Sequence, residues 1–200
     1  MTHVVGVVLA AGRATRFDGG DKLLAHFEGE ALVRHAARSL TTAAIAETVA
    51  VVADDAVAEA LADLPVERLA NPDPAAGMSR SVAIGAAFAA DAGATGAAFL
   101  PGDMPCVAPT TVDRLLEAHA AEPGIVIVPE QGGRRGNPVV FPAGLLERLQ
   151  RLDGDVGGRA LLETVPTTRV AVDDPGVHVD VDTREDLLRL RQSGCAGTRP

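Results

Sequence analysis

Apolar residues follow two rhythms along this chain. Short runs without polar interruption, VVGVVLAA at residues 4–11 and TVAVVA at 48–53, read as strands buried on both faces. Between such runs the apolar positions take helical spacing. This predicts helices over 31–40, over the alanine-rich 54–64 with acidic residues at its start, over 78–90, and over 109–121 with Pro109 in the first turn. Further strands are expected at 66–70, 97–100, 124–129, 138–141, 169–172 and 177–179, and further helices at 143–152, 156–165 and 183–192.

Strand–helix alternation of this kind implies a mostly parallel α/β sheet with right-handed crossovers. The second half is broken by Gly and Pro at 131–138 and 173–176. It reads as a small irregular insertion that leaves the parallel sheet and lines a cleft. Residues 1–192 make one domain of ordinary size, and 193–200 read as a frayed tail. No internal repeat or low-complexity segment is present.

Composition narrows the function classes. A net charge of −9 excludes a protein that coats nucleic acid, but not one that binds a nucleotide as a small ligand. With 47% hydrophobic residues and no Trp or Tyr, the core is built from small side chains. Cys106 and Cys195 lie far apart in sequence and form no metal-type pair, so neither a zinc site nor a disulfide scaffold is expected, and a reducing, cytoplasmic compartment fits. The N-terminal apolar run lacks a cationic preface and reads as a strand; no segment is long enough to span a membrane.

In open α/β sheets ligands bind at the carboxyl ends of the strands. The first strand ends at Gly12 and opens a loop carrying Arg13, Arg16 and Lys22, the only lysine among 18 basic residues. Such a loop can cradle phosphates with backbone N–H groups and neutralise them with its cations, or it can be a solvated Gly-rich turn. It is neither GxxxxGK[ST] nor GxGxxG, which weakens P-loop and dinucleotide readings. FLPGDMP at 99–105 places Asp103 straight after an apolar strand, as a Mg²⁺ ligand or as a turn residue. HVDVDTREDLL at 178–188 offers Asp180 and Asp182 at a strand end, either for a metal or with Asp182 or Thr183 as the cap of the last helix. Arg134, Arg135 and Arg159, flanked by glycines, can grip an anion or sit on surface turns. Ser79 and Ser81, in GMSRS, read as donors near a helix start that can meet a ribose or phosphate. The five histidines have no metal-ligand spacing, and no GxSxG elbow occurs.

Taken in order, these segments resemble the nucleotidyltransferases that load molybdopterin with a nucleotide, and most of all the molybdenum cofactor cytidylyltransferases. VVLAAGRATRF with Lys22 is similar to that family's LAAGxSxRxG…K opening. NPDPAAGMSRSVAIG at 71–85 and FLPGDMPCV at 99–107 resemble its NP…GxSxS and LxGDxP segments. RGNPVVF at 135–141, LDGDVGGRALL at 152–162 and DVDTREDL at 180–187 resemble RGHP, LxGDxGaRxLL and DIDTxeDl.

The resemblance implies a three-layer α/β/α Rossmann-like nucleotidyltransferase fold. It further implies transfer of CMP from CTP to the terminal phosphate of a pterin-type acceptor, with pyrophosphate leaving. Arg16, Lys22 and Asp103 would be catalytic. Mg²⁺, or Mn²⁺ in its place, would sit on Asp103 with Asp182 or Asp180. Leu9, Ala10, Ala11, Gly12, Arg13, Asn71, Ser79, Ser81, Gly102, Arg135, Asn137, Asp155 and Arg159 would bind substrates. LAAG rather than LAGG at residues 9–12 favours cytosine over guanine.

Three positions depart from the pattern. Ala14 stands for Ser, one extra residue separates Arg16 from Lys22, and Asn137 stands for His on the expected pterin side. The alternatives are a guanylyltransferase, a transferase for another phosphorylated acceptor, or a non-catalytic maturation factor that hands cofactor to a molybdoenzyme. A transient molybdoenzyme contact is expected; oligomeric state is not encoded in these motifs.

Overall fold

The computed structural model describes residues 3–12, 17, 20–154 and 158–197, with side chains omitted at 159–160 and 196–197. The elements run β1 (Val4–Ala10), β2 (His26–Phe27), β3 (Glu30–Ala31), α1 (Leu32–Thr42), β4 (Glu47–Val52), α2 (Asp55–Ala60), β5 (Glu67–Ala70) and α3 (Met78–Asp91). They continue with β6 (Gly96–Pro101), α4 (Pro109–Ala121), β7 (Val126–Gln131), β8 (Arg134–Arg135), β9 (Val139–Pro142) and α5 (Ala143–Gln150). The chain closes with α6 (Arg159–Leu162), β10 (Thr167–Ala171) and α7 (Arg184–Gly197).

β1 has no solvated face. Val4, Val8 and Ala10 enter one apolar cluster while Val5 and Val7 enter another, which is what a period of two demands of a central strand. β4 and β6 flank it in parallel, so that Val7 faces Val49 on one side and Phe99 on the other. The sheet order is β10-β7-β9-β6-β1-β4-β5, with β8 added to β7 and β2-β3 a separate hairpin. Buried side chains of α1, α2 and α4, among them Leu40, Val57 and Leu115, cover one face. Those of α3, α5 and α6, among them Val82, Leu149 and Leu161, cover the other. The result is the three-layer, mostly parallel α/β arrangement expected from the sequence.

The expected departure from the parallel sheet is β9, antiparallel to both β6 and β7. The β7-β8 hairpin turns through Gly132 and Gly133, both at positive φ (60° and 78°), as a tight two-residue turn between twisted strands requires.

Several expectations are corrected. Residues 177–179 are not a strand: Pro175–His178 forms a 3-10 turn that starts from Asp174, whose carboxylate accepts from the Gly176 N–H. A Cβ on Gly176 would lie 1.9 Å from the Cys106 carbonyl oxygen, so only glycine lets this turn dock. α2 stops at Ala60 rather than at 64, and Arg34 bonds the Ala60 carbonyl at 2.6 Å while pairing with Asp63. The helix expected over 156–165 is described only as Arg159–Leu162.

The expectation against a disulfide is also overturned. Cys106 and Cys195 form a disulfide across 89 residues, with Cα atoms 5.2 Å apart. They meet in a third apolar cluster outside the sheet, with Phe17, Phe27, Leu32, Val181, Leu187 and Leu190. Sequence distance concealed a pairing that only the docking of α7 creates. α7 is described through Gly197, interrupted at Gly194. Among the described residues no helix is long and apolar enough to cross a membrane.

Candidate functional site

A cleft of about 1170 Å³ opens over the carboxyl ends of β1 and β6. Three of its charged residues, Lys22, Asp103 and Asp182, are each held by a local device. Lys22 opens a 3-10 turn (Lys22–Leu24) whose cap, Asp21, accepts from the Leu23 N–H at 2.8 Å. Leu23 is buried in the core, and the lysine beside it is left facing the cleft. Asp103 follows β6. The Gly102 N–H donates to the Leu9 carbonyl at 2.9 Å and carries the β1-β6 ladder one step further before the chain turns.

Asp182 precedes the last helix. There the Thr183 hydroxyl accepts from the Asp186 N–H, while the Asp186 carboxylate accepts from the N–H groups of Asp182 and Thr183. This reciprocal box makes Thr183 the cap and leaves the Asp182 side chain for the cleft. The N–H groups and hydroxyl that Asp186 accepts from overcome the burial that pushes its pKa up, and hold the carboxyl below its ordinary value.

These three residues meet. The Lys22 ammonium donates to Asp103 Oδ2 at 2.6 Å and to Asp182 Oδ1 at 2.7 Å. Its side chain is 13% exposed; burial pulls its pKa down, but the two carboxylates outweigh burial and raise it above the ordinary lysine value. Asp180 lies at the same end of the cleft. Partial burial, with the like charges of Asp182 and Asp103, pushes its carboxyl above the ordinary range.

Asp103 and Asp182 each aim one oxygen at a single cation position. Hard carboxylate oxygens converging in this way suit Mg²⁺ or Mn²⁺. Among the described residues no preassembled group of three or more acid, His or Cys ligands exists. Two carboxylates with substrate phosphates and water completing the shell is the ordinary magnesium pattern.

The other expected site residues divide into walls and supports. Leu9, Ala11, Gly12, Ser81, Arg135 and Asn137 line the cleft. Ala10, Asn71, Ser79 and Gly102 do not. Asn71 is buried and donates to the Ser81 hydroxyl at 3.1 Å, and its own oxygen accepts from the Asp73 N–H, so it positions rather than lines. The Ser79 N–H donates to the Gly154 carbonyl. Asn137 donates to Met104 Sδ at 3.3 Å and precedes a cis peptide to Pro138. Arg13, Ala14, Arg16 and Asp155 lie outside the described residues, as does the side chain of Arg159.

Sequence reasoning left one contributor, Arg134, open as an anion grip or a surface turn, and missed two others. Arg134, beside Arg135 on the β8 hairpin, lines the cleft, and its carbonyl meets His178 Nε2 at 3.2 Å. Pro74–Ala76 forms a 3-10 turn that, with Gly77 and Met78, walls the opposite side. Asp174 never touches the cleft. Its carboxylate accepts from the Ala108 N–H (3.0 Å), the Thr111 hydroxyl (2.7 Å) and the Gly176 N–H (2.9 Å), tying the strap that carries Asp180 and Asp182 to the loop after Asp103. Its signal was the Asp-Pro-Gly turn at 174–176.

Residues 6–172 match the model of a family described as the MobA-like NTP transferase domain. Over 199 residues the chain is 34% identical to a protein named nicotine blue oxidoreductase, from Paenarthrobacter nicotinovorans, covering 94% of this chain and 96% of the relative. It is 30% identical over 201 residues to a probable molybdenum cofactor guanylyltransferase of Thermococcus gammatolerans, covering 94% and 100%. Among solved structures, Rv0371c from Mycobacterium tuberculosis H37Rv superposes with a TM-score of 0.83 at 30% identity, over 96% of this chain and 99% of that one. A complex of the same protein with manganese superposes at 0.77 and 28% identity, over 96% and 100%.

Proposed function

The chain belongs to the MobA-like NTP transferases and is an enzyme of the nucleotidyltransferase class, and from that premise we propose that it transfers CMP from CTP to the terminal phosphate of a molybdopterin-type acceptor. The observation that carries this reading is the single ammonium of Lys22 gripped by Asp103 and Asp182 at the ends of the central strands. A half-buried cation between two carboxylates, over strand ends that accept a ligand, suits a triphosphate and its metal.

In this reading an acceptor phosphate oxygen attacks the α-phosphorus in line. The bond from that phosphorus to the bridging oxygen breaks, and pyrophosphate leaves. Mg²⁺ or Mn²⁺ on Asp103 and Asp182 would neutralise phosphate oxygens when bound, with Asp180 beside them. Lys22 follows the developing charge on the triphosphate, and Arg16 is assigned to the same task. The strand end from Leu9 to Gly12, together with Ser81, holds the nucleotide. Arg135 and Arg134 on their hairpin, with Asn137 behind them, face the anionic acceptor. The protein supplies positioning and electrostatics, and no covalent intermediate on a side chain is required. A molybdoenzyme receiving the product is the expected transient partner.

The test is magnesium-dependent pyrophosphate release from purified protein given molybdopterin-type cofactor, with CTP and GTP in parallel and Asp103→Ala as control. Release with CTP and not GTP supports the proposal. Preference for GTP keeps the transfer and overturns the base assignment. Binding of CTP without release overturns the acceptor, with Asn137 the first residue to examine. NAD(P)H consumption in place of pyrophosphate release would overturn the reading altogether. Lys22→Arg keeps the charge but replaces a compact ammonium with a planar fork, and turnover is expected to fall by about tenfold or more.

A further inference from the structure

We infer that Lys22 is a place-holding cation that competes with the divalent metal for Asp103 and Asp182 until a triphosphate draws the ammonium away. This deepens the nucleotidyltransferase reading and rests on it for the identity of the triphosphate.

The ammonium uses one oxygen of each carboxylate at 2.6 and 2.7 Å. A divalent ion placed between the two carboxylates, where the ammonium now sits, competes for the same oxygens. Entry of the metal alone therefore displaces Lys22 from both partners. The displaced ammonium loses two ion pairs at once, and with a side chain only 13% exposed it recovers part of its hydration and no anion. An ammonium withdrawn from two carboxylates and held in a largely buried position is costly.

A triphosphate removes that cost. Its oxygens supply the anion that Lys22 turns to, and the metal takes over Asp103 and Asp182. Metal and nucleotide are thus positively coupled through one side chain, and by linkage each raises the affinity for the other by the same factor.

Lys22 is the only lysine in the chain, so lysine labelled with ¹³C at Cε gives a single side-chain NMR signal. Mg²⁺ alone is expected to leave that signal in place, while Mg²⁺ with a non-hydrolysable CTP analogue shifts it. Displacement of the signal by Mg²⁺ alone overturns the inference. Independently, Mn²⁺ titration followed by electron paramagnetic resonance, without nucleotide, compares wild type, Lys22→Met and Lys22→Arg, with folding checked by circular dichroism. Lys22→Met is expected to bind Mn²⁺ about tenfold or more tightly than wild type, and Lys22→Arg to remain weak. Equal Mn²⁺ affinity in wild type and Lys22→Met overturns it.

Neither measurement uses the transfer reaction. Failed transfer with an unmoved NMR signal and tightened Mn²⁺ binding defeats the proposed function alone. Active transfer with Mg²⁺ displacing Lys22 unaided defeats this inference alone.

Discussion

Asp103 and Asp182 reach the same ammonium from two different kinds of support. Asp103 hangs from the centre of the sheet: β6 pairs with β1 residue by residue, and the ladder continues through Gly102. Asp182 hangs from a strap with no strand partner. Residues 174–182 are docked by the Asp174 carboxylate, by the Val181 N–H donating to the Asp103 carbonyl at 3.0 Å, and by the contact of Gly176 with the Cys106 carbonyl. The disulfide then ties α7, which follows the strap, to Cys106. Half of the site is therefore inherited from the core and half is docked onto it.

The largest expected effect concerns the docked half. Reducing the Cys106–Cys195 disulfide opens a loop of 89 residues' separation and should lower stability by up to about 4 kcal/mol. Urea unfolding with and without reductant measures this, and an unchanged midpoint would show that Leu187 and Leu190 hold α7 without it. Next in size, Asp103→Ala should cut pyrophosphate release by about 10² to 10³-fold while leaving the urea midpoint near wild type, because the strand beneath it is unaltered. Loss of stability along with activity would erase the contrast between the two supports.

Asp174→Ala leaves the Ala108 and Gly176 N–H groups without their acceptor, and should cost about 2–3 kcal/mol together with a raised KM for the metal–nucleotide. Stability lost with kinetic constants intact would show that the strap does not position Asp182.

A smaller effect probes the sheet from its other end. His119 is fully buried on α4 beside Gly96, the first residue of β6, and neither ring nitrogen meets a hydrogen-bond partner among the described residues. Burial lowers its pKa below the ordinary histidine value. The folded state thus favours neutral imidazole, while the unfolded chain takes up a proton below about pH 6.5. Stability from this group is present above that pH and is lost as pH falls through it. Melting across this range should show His119→Leu less acid-sensitive than wild type; parallel curves would remove His119 as the cause.

What could be read without coordinates had a local cause. The central strands announce themselves because residues buried on both faces leave no room for polar interruption, and α4 begins and ends where Pro109 and the apolar spacing place it. Asp103 was legible because glycine and proline punctuate a strand end. The capping box at Thr183 and Asp186 was legible only as an ambiguity, since Asp182 and Thr183 are both good caps. Contacts settle it, because Asp182 has a lysine to bind and Thr183 does not. The 3-10 turn at Pro175–His178 was mistaken for a strand because Val177 and Val179 look β-like, and nothing local reveals that there is no neighbouring strand to pair with.

The sequence by itself determined the alternation of strands and helices, the carboxylate at the end of β6 and the presence of one lysine in the first loop, because periodicity and turn chemistry are properties of neighbours along the chain. Only the tertiary structure decided that Lys22 meets Asp103 across 81 residues and Asp182 across 160, and that Cys106 finds Cys195. Those meetings depend on strand order, on the antiparallel β9 and on how α7 docks, and proximity of that kind is set by the packing of the whole domain rather than by any stretch of it.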